Sequence, residues 1–354
     1  MHTLGRYINH RILTTVTTVL IVLITIFTFF SFIDEIEDVG TGTYDLLSAI
    51  YVVVLEIPNL SYDLMPFATL IGTMIALGSF VELNEIVVIR SSGGSKIDLL
   101  ITVLKSACFL AIFTIVVGEL IAPFAESQAT KIKTSLKKDR DLTLMENGFW
   151  AREGNTFINM RSILIDGIFS DVSIYEFNDR GLLGRTATAS SAEYEDDVWY
   201  LNDVRETLFE ESKVSVAIHK KVIWQSSLDP RAIEMVAMKP TTHTALSLYR
   251  YWKFAKANGQ RADNLERSLW AKVGSPLSIF AMVIFALPLV VSSQRDVSLS
   301  RRVLASGFMG LGYHVICELS EQMSAVYGLP ASASILVPPT ALLIFAVGLN
   351  YRAA

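Results

Sequence analysis

Long apolar runs recur along this chain, and one polar block of ordinary soluble texture divides them into two groups. A hydrocarbon core of about 30 Å needs about 20 helical residues at ~1.5 Å each, so each run can be judged by length. Ile12 to Ile33 (ILTTVTTVLIVLITIFTFFSFI) carries no charge and is long enough to cross. Leu64 to Val81 follows, with Pro66 near one end. Ile97 to Ile121 comes next, with Lys105 and Glu119 towards its two ends, where long side chains reach the interface. After the polar block come Trp270 to Val291, Val303 to Met323 and Ser334 to Leu349. The pattern predicts six spans, three on each side of the block. Leu46 to Ile57 (LLSAIYVVVLEI) is too short to cross and is closed by Pro58, so it is expected to lie along the interface or beside the bundle.

Composition supports this: 51% of the 354 residues are hydrophobic and 18% charged, which moves the chain out of the soluble class. The first run resembles a signal peptide in following Arg6 and Arg11. Its length, the acidic DEIED after it and the missing small-residue cleavage site predict a retained helix. Arg6, Arg11, Arg90, Lys96, Arg295, Arg301, Arg302 and Arg352 fall in one set of loops and ends, while DEIEDVGTGTYD and EQMSAVYGLPAS have no Lys or Arg. The bias predicts both termini in the cytoplasm and the polar block outside. Cys108 and Cys317, the two cysteines, sit within apolar runs, which excludes a disulfide scaffold.

From about Phe149 the pattern shortens to alternating, β-branched segments between turn signals. FWAREGNTFINM predicts a hairpin around Glu153 to Asn155, and VSIYEFNDRGLLGRTATA another around Asn178 to Gly181. AEYEDDVWYLNDV and VSVAIHKKVIWQ supply further strands. This spacing predicts an inserted all-β domain, an antiparallel sandwich or jelly roll, with Trp150, Phe157, Ile174, Trp199, Val214 and Ile223 as core candidates. The organisation is therefore an N-terminal membrane half over 1–125, a β-domain over 126–245 and a C-terminal membrane half over 246–354. TALSLYRYWKFAKANG links the β-domain to the fourth span, whose approach Asp263 is placed to cap.

Enzymatic motifs are absent. SSGGSK at Ser91 to Lys96 lacks the spacing of a phosphate-binding loop, and there is no HExxH, no cysteine pair at zinc spacing and no GxSxG. His314 and Glu318, one helical turn apart in the fifth span, form an intramembrane proton relay, form a neutral hydrogen-bonded pair facing the bundle interior, or lie close enough to the outer surface to be wet. Between the second and third spans stands ELNEIVVIRSSGGS. As a helix it would put Glu85, Val88 and Ile89 on one face with Arg90 beside them, suiting the membrane surface or a groove on a soluble partner.

ALGSFVELNEIVVIRSSGGS, ERSLWAKVGSPL and the plan of three helices, a β-domain and three helices resemble the LptF/LptG family of lipopolysaccharide export permeases. NGFWAREGNTFINM, VSIYEFND and FIDEIEDVGTGTYD place the chain nearer the LptG branch. The resemblance implies a Gram-negative inner-membrane ABC transporter permease that binds no cofactor itself, with ATP and Mg on a partner ATPase. Implied partners are a sister permease (LptF), a cytoplasmic ATPase dimer (LptB), a single-helix subunit (LptC), a periplasmic bridge (LptA), lipopolysaccharide and membrane lipids, with no nucleic acid. It gives Glu85, Val88, Ile89 and Arg90 to the coupling helix that enters the ATPase. It puts the lipid cavity on the first, second and fifth spans, hence on Ile24, Phe27, Phe30, Met65, Phe67, Ile71, Phe308 and Leu311. Gly307, Gly310 and Gly312 would let the fifth span approach its neighbours closely.

At the outer end of the first span, where the family often has lysines, this chain has Glu37 and Asp38. Carboxylates repel lipid phosphates, so divalent cations bridge them, another subunit supplies positive charge, or the headgroup is held elsewhere. The rival readings are a membrane-anchored periplasmic scaffold and an ion-coupled secondary transporter driven through His314 and Glu318.

Overall fold

The computed structural model describes residues 2–85, 91, 96–136, 149–163, 168–178, 180–195, 198–210, 213–226, 243–257, 262–291 and 299–352. Helix α1 covers His2–Ile36 and α2 covers Leu46–Glu82. Helix α3, Lys96–Val116, runs through a π-helical turn at Val117–Ile121 into α4, Ala122–Leu136. Six strands follow: β1 (Phe149–Glu153), β2 (Thr156–Ile163), β3 (Phe169–Phe177), β4 (Leu183–Glu195), β5 (Val198–Glu210) and β6 (Lys213–Trp224). Helices α5 (Ala245–Ala257), α6 (Asp263–Val291), α7 (Leu299–Tyr327) and α8 (Ala331–Arg352) complete the chain. Among the described residues, six helical stretches are long and apolar enough to cross a membrane: α1, α2, the α3–α4 rod, α6, α7 and α8.

Helix α1 resolves much of its polar content locally. Thr14, Thr15, Thr18 and Thr25 each donate to a carbonyl one turn back at 2.8–2.9 Å, which satisfies those four hydroxyls within the helix. Helix α2 departs from expectation, because Leu46 to Ile57 and Leu64 to Val81 are one helix of 37 residues, about 56 Å long. Pro58 and Pro66 lie inside it. Each removes one backbone donor, but packing holds the helix through both. Asp45 caps the start by accepting from the Ser48 amide, at 2.9 Å, and hydroxyl, at 2.6 Å; these bonds hold its carboxyl below the ordinary range. At the other end Leu83 donates to the Ser79 carbonyl and Asn84 turns the chain at φ +57°.

The third span likewise overshoots the expected end at Ile121 and continues to Leu136. The extensions of α2 and α4 support each other through a separate apolar cluster of Tyr44, Ala49, Val52 and Ala129. The main core lies in the bundle, with α2 at its centre: Ile12 and Val16 of α1, Met65, Leu70 and Leu77 of α2, Val103 of α3 and Met282 and Val283 of α6. Gly72 sets the α1–α2 distance, since a Cβ there would stand 2.6 Å from the Val16 Cα.

The inserted domain is antiparallel throughout, and among the described residues its strands lie in chain order in one sheet. The expected sandwich layers arise by curling. Ser226, just past β6, donates to Glu153 of the β1–β2 hairpin at 2.8 Å, so the two ends of the meander meet. Gly154 and Asn155 form the two-residue turn between Glu153 and Thr156, with Gly154 at φ +59°. Asn178 organises the next turn by accepting from the Arg180 and Leu182 amides. Ile174 and Trp199 enter the core as expected, and Trp199 touches Phe169, Tyr194 and Trp224. Trp150, Val214 and Ile223 do not; each is more than half exposed, because Trp150 sits on the outer face against Tyr175 and β6 is open along most of its length. Phe157 is half-buried and pairs edge-on with Phe177. Asp263 is the first helical residue of α6 rather than a residue before it, and with Glu266 it complements the helix dipole.

Candidate functional site

Burial differs widely among the six spans. Of the most apolar window of each span, 67% is buried in α2 and 56% in α6, but only 11% in α1 and in α7. Both α1 and α7 pack on α2, which leaves broad apolar faces on either side of it. Phe27 and Phe30 of α1 and Phe308 and Leu311 of α7 are exposed on those faces. Ile24, Phe67 and Ile71 are half-buried beside them. Met65 is the exception: at 2% exposure it belongs to the core between helices, since its position on α2 points inward. Gly310 lets Phe67 and Leu70 approach α7, whereas Gly307 and Gly312 face open space.

The expected pair of His314 and Glu318 does not form. The imidazole packs edge-on against the Phe67 ring at 5.6 Å, and Glu318 accepts from Gln322 at 3.0 Å. No hydrogen bond joins the two groups among the described residues.

Of the expected coupling residues, Glu85 is half-buried and its carboxylate accepts from the Tyr7 hydroxyl at 3.4 Å, close to where α2 ends. Val88, Ile89 and Arg90 lie outside the described residues. Arg302, at the start of α7 and 3% exposed, donates to the Gly78 carbonyl at 2.5 Å in the last turns of α2. A cation at the carbonyl end of α2 is favoured by the helix dipole, so this contact ties α7 to the helix that leads into Glu85.

The opposite end holds the polar contacts that sequence reasoning missed. Glu37 is exposed and Asp38 half-buried just past α1, but the central carboxylate is their neighbour Glu35. Buried to 6% exposure, Glu35 accepts from the Tyr44 hydroxyl at 2.8 Å and pairs with Lys133 at 2.6 Å. Lys133 also reaches Glu56 at 3.0 Å, so one ammonium ties α1, α2 and α4 together. Burial first, then the Glu35 carboxylate, raises the Tyr44 hydroxyl well above its ordinary pKa. A second junction lies at the π turn. Lys272 of α6 donates to the Gly118 carbonyl at 2.7 Å and pairs with Glu119 at 3.2 Å, while Glu119 accepts from the Ala245 amide that opens α5 at 2.7 Å. The signal available was the presence of Glu119, Lys133 and Lys272 at the margins of apolar runs, where an unpaired charge is costly.

Inside the curled sheet a cavity of about 410 Å³ is lined by apolar Ile174, Leu201, Val222 and Trp224 together with charged Glu176, Arg185 and Glu206. Burial works against the Arg185 charge, but its bonds to Glu206 at 2.5 Å and Glu176 at 2.6 Å prevail and hold it firmly protonated.

Among the described residues, six candidate spans with an antiparallel domain inserted between the third and fourth define a polytopic membrane protein. Residues 6–352 match the family model described as lipopolysaccharide export system permease LptF/LptG. The chain belongs to that family, and with it to the inner membrane. The lipopolysaccharide export system permease protein LptG of Haemophilus influenzae is 30% identical over 340 residues, 96% of this chain and 95% of that one. The protein of the same description from Escherichia coli strain K12 is 28% identical over 352 residues, 99% and 98% of the two chains.

Proposed function

We propose that this chain is one of two permease halves of an ABC transporter that extracts lipopolysaccharide from the outer leaflet of the inner membrane. In this reading α1, α2 and α7 form half of a cavity that a sister permease of the LptF kind completes. The observation that carries it is the 11% burial of the α1 and α7 windows, with large apolar side chains on both.

Each methylene withheld from water contributes about 0.8 kcal/mol, so one acyl chain of a dozen carbons stands to lose roughly 10 kcal/mol if drawn bare into the periplasm. Lateral entry into an apolar cavity avoids most of that cost. The collapse of the cavity then lifts the lipid towards the β-domains and a periplasmic bridge of the LptA kind. The energy comes from a cytoplasmic LptB-type ATPase dimer, which holds ATP and Mg. The segment starting at Glu85, with Val88, Ile89 and Arg90, docks into it, and a single-helix subunit of the LptC kind lies against α1. Both termini are cytoplasmic and the β-domain periplasmic in this reading, which the distribution of Lys and Arg among the loops supports.

A photo-crosslinker in place of Phe308 should capture lipopolysaccharide in cells, and capture of ordinary phospholipid alone would support a scaffold instead. Glu85→Ala with Arg90→Ala should weaken copurification of the ATPase and lower its lipid-stimulated turnover. Wild-type values of both would remove the docking assignment.

A further inference from the structure

Helix α5 follows the β-domain and is held at a defined height. Its first amide is bonded to Glu119, which also pairs with Lys272, and the uncharged stretch of α6 starts at Val273. The start of α5 therefore stands at the margin of the hydrocarbon on the β-domain side. From there one face of α5, with Leu248, Tyr251 and Ala255, is buried against Leu265 of α6.

The opposite face is exposed and carries Leu246, Tyr249, Arg250, Lys253 and Lys256. At ~1.5 Å per residue, Leu246 lies within about 2 Å of the margin, Tyr249 and Arg250 at most about 8 Å above it, and Lys253 about 12 Å. Lys256 folds back over the Trp252 ring at 4.8 Å, which lowers its ammonium towards the same level, and Trp252 stacks with Tyr249 at 5.9 Å. Aliphatic, aromatic and cationic side chains thus succeed one another in the order in which a leaflet passes from acyl chain to glycerol to phosphate. No carboxylate among the described residues pairs with Arg250, Lys253 or Lys256.

We propose that this face of α5 is a headgroup site, binding the phosphate groups of anionic lipids in the leaflet on the β-domain side. The inference rests on the chain spanning a membrane and not on what it transports. It also places the positive charge that Glu37 and Asp38 cannot provide on a different element of the same subunit.

The test uses the full chain in nanodiscs of phosphatidylcholine with a minority of phosphatidylglycerol, and a photoreactive benzophenone amino acid in place of Leu246. Lipid adducts should be enriched in phosphatidylglycerol over its bulk share, and each of Arg250→Gln and Lys253→Gln should reduce that enrichment by about fivefold at low salt. Lys253→Arg should retain it, and high salt should abolish it in the unaltered chain, which needs no variant to fold. Adducts at the bulk ratio, or indifferent to salt, would overturn the proposal. So would protein adducts in place of lipid ones while the same probe at Phe113 labels lipid. Loss of the enrichment in free inorganic phosphate would assign the face to a soluble anion instead.

Discussion

Replacing Lys133 by methionine removes the ammonium between Glu35 and Glu56 while keeping the aliphatic stem. Glu35, with its side chain 7% exposed, is then left in a nearly dry site facing a second carboxylate. Breaking a fully buried pair costs about 3–5 kcal/mol, but Lys133 is 31% exposed, and solvent screening reduces the expected loss to about 1–3 kcal/mol. For a chain of this size that corresponds to a fall in melting temperature of about 1–4 °C. The assay is thermal unfolding of the purified full chain in detergent, followed by tryptophan fluorescence. Glu35→Gln removes the charge that Lys133 neutralises, so the double variant should recover at least about 1 kcal/mol relative to the sum of the single changes. A single variant that melts with the parent, or strictly additive losses, would show that the ammonium does not tie the three helices.

Gly72→Ala should destabilise by about 1–3 kcal/mol, because α1 and α2 must part by about 1 Å to clear the Val16 backbone, whereas Gly307→Ala should be silent; melting temperatures decide both. Burial raises the Tyr251 hydroxyl from 10.0 to about 12. Its packing against α6 therefore contributes fully below pH 10 and is lost as pH rises towards 12, and Tyr251→Phe should remove that alkaline loss, read from tyrosinate absorbance and melting together. Glu119→Ala should free the start of α5 and speed hydrogen exchange at the Ala245 amide by about tenfold or more, measured by mass spectrometry of the intact chain after digestion.

The spans were legible because length and apolarity alone decide them: α1, α6, α7 and α8 cover the runs that the pattern marks out. The continuity of α2 was not. Pro58 reads as a terminator in sequence, and what overrides it is the distant pairing of Ala49 and Val52 with Ala129 on α4. The hairpins at Gly154 and Gly181 were visible in turn chemistry, since both glycines adopt positive φ. Which faces of the strands are buried was not, because left-handed residues at Asp171 and Asp203 shift the alternation along β3 and β5. In the candidate site the exposed aromatic residues of α1 and α7 followed from the family resemblance. The ion pairs of Glu35 and Glu119 depend on partners about a hundred or more residues away, so the charges at the margins of apolar runs were visible but their partners were not.

Release of lipopolysaccharide from vesicles to a soluble acceptor, on addition of nucleotide, is the most direct test. Vesicles holding this chain with its sister permease and the ATPase should release lipid, and vesicles lacking either companion should not. Nucleotide-driven release by this chain alone would contradict the account.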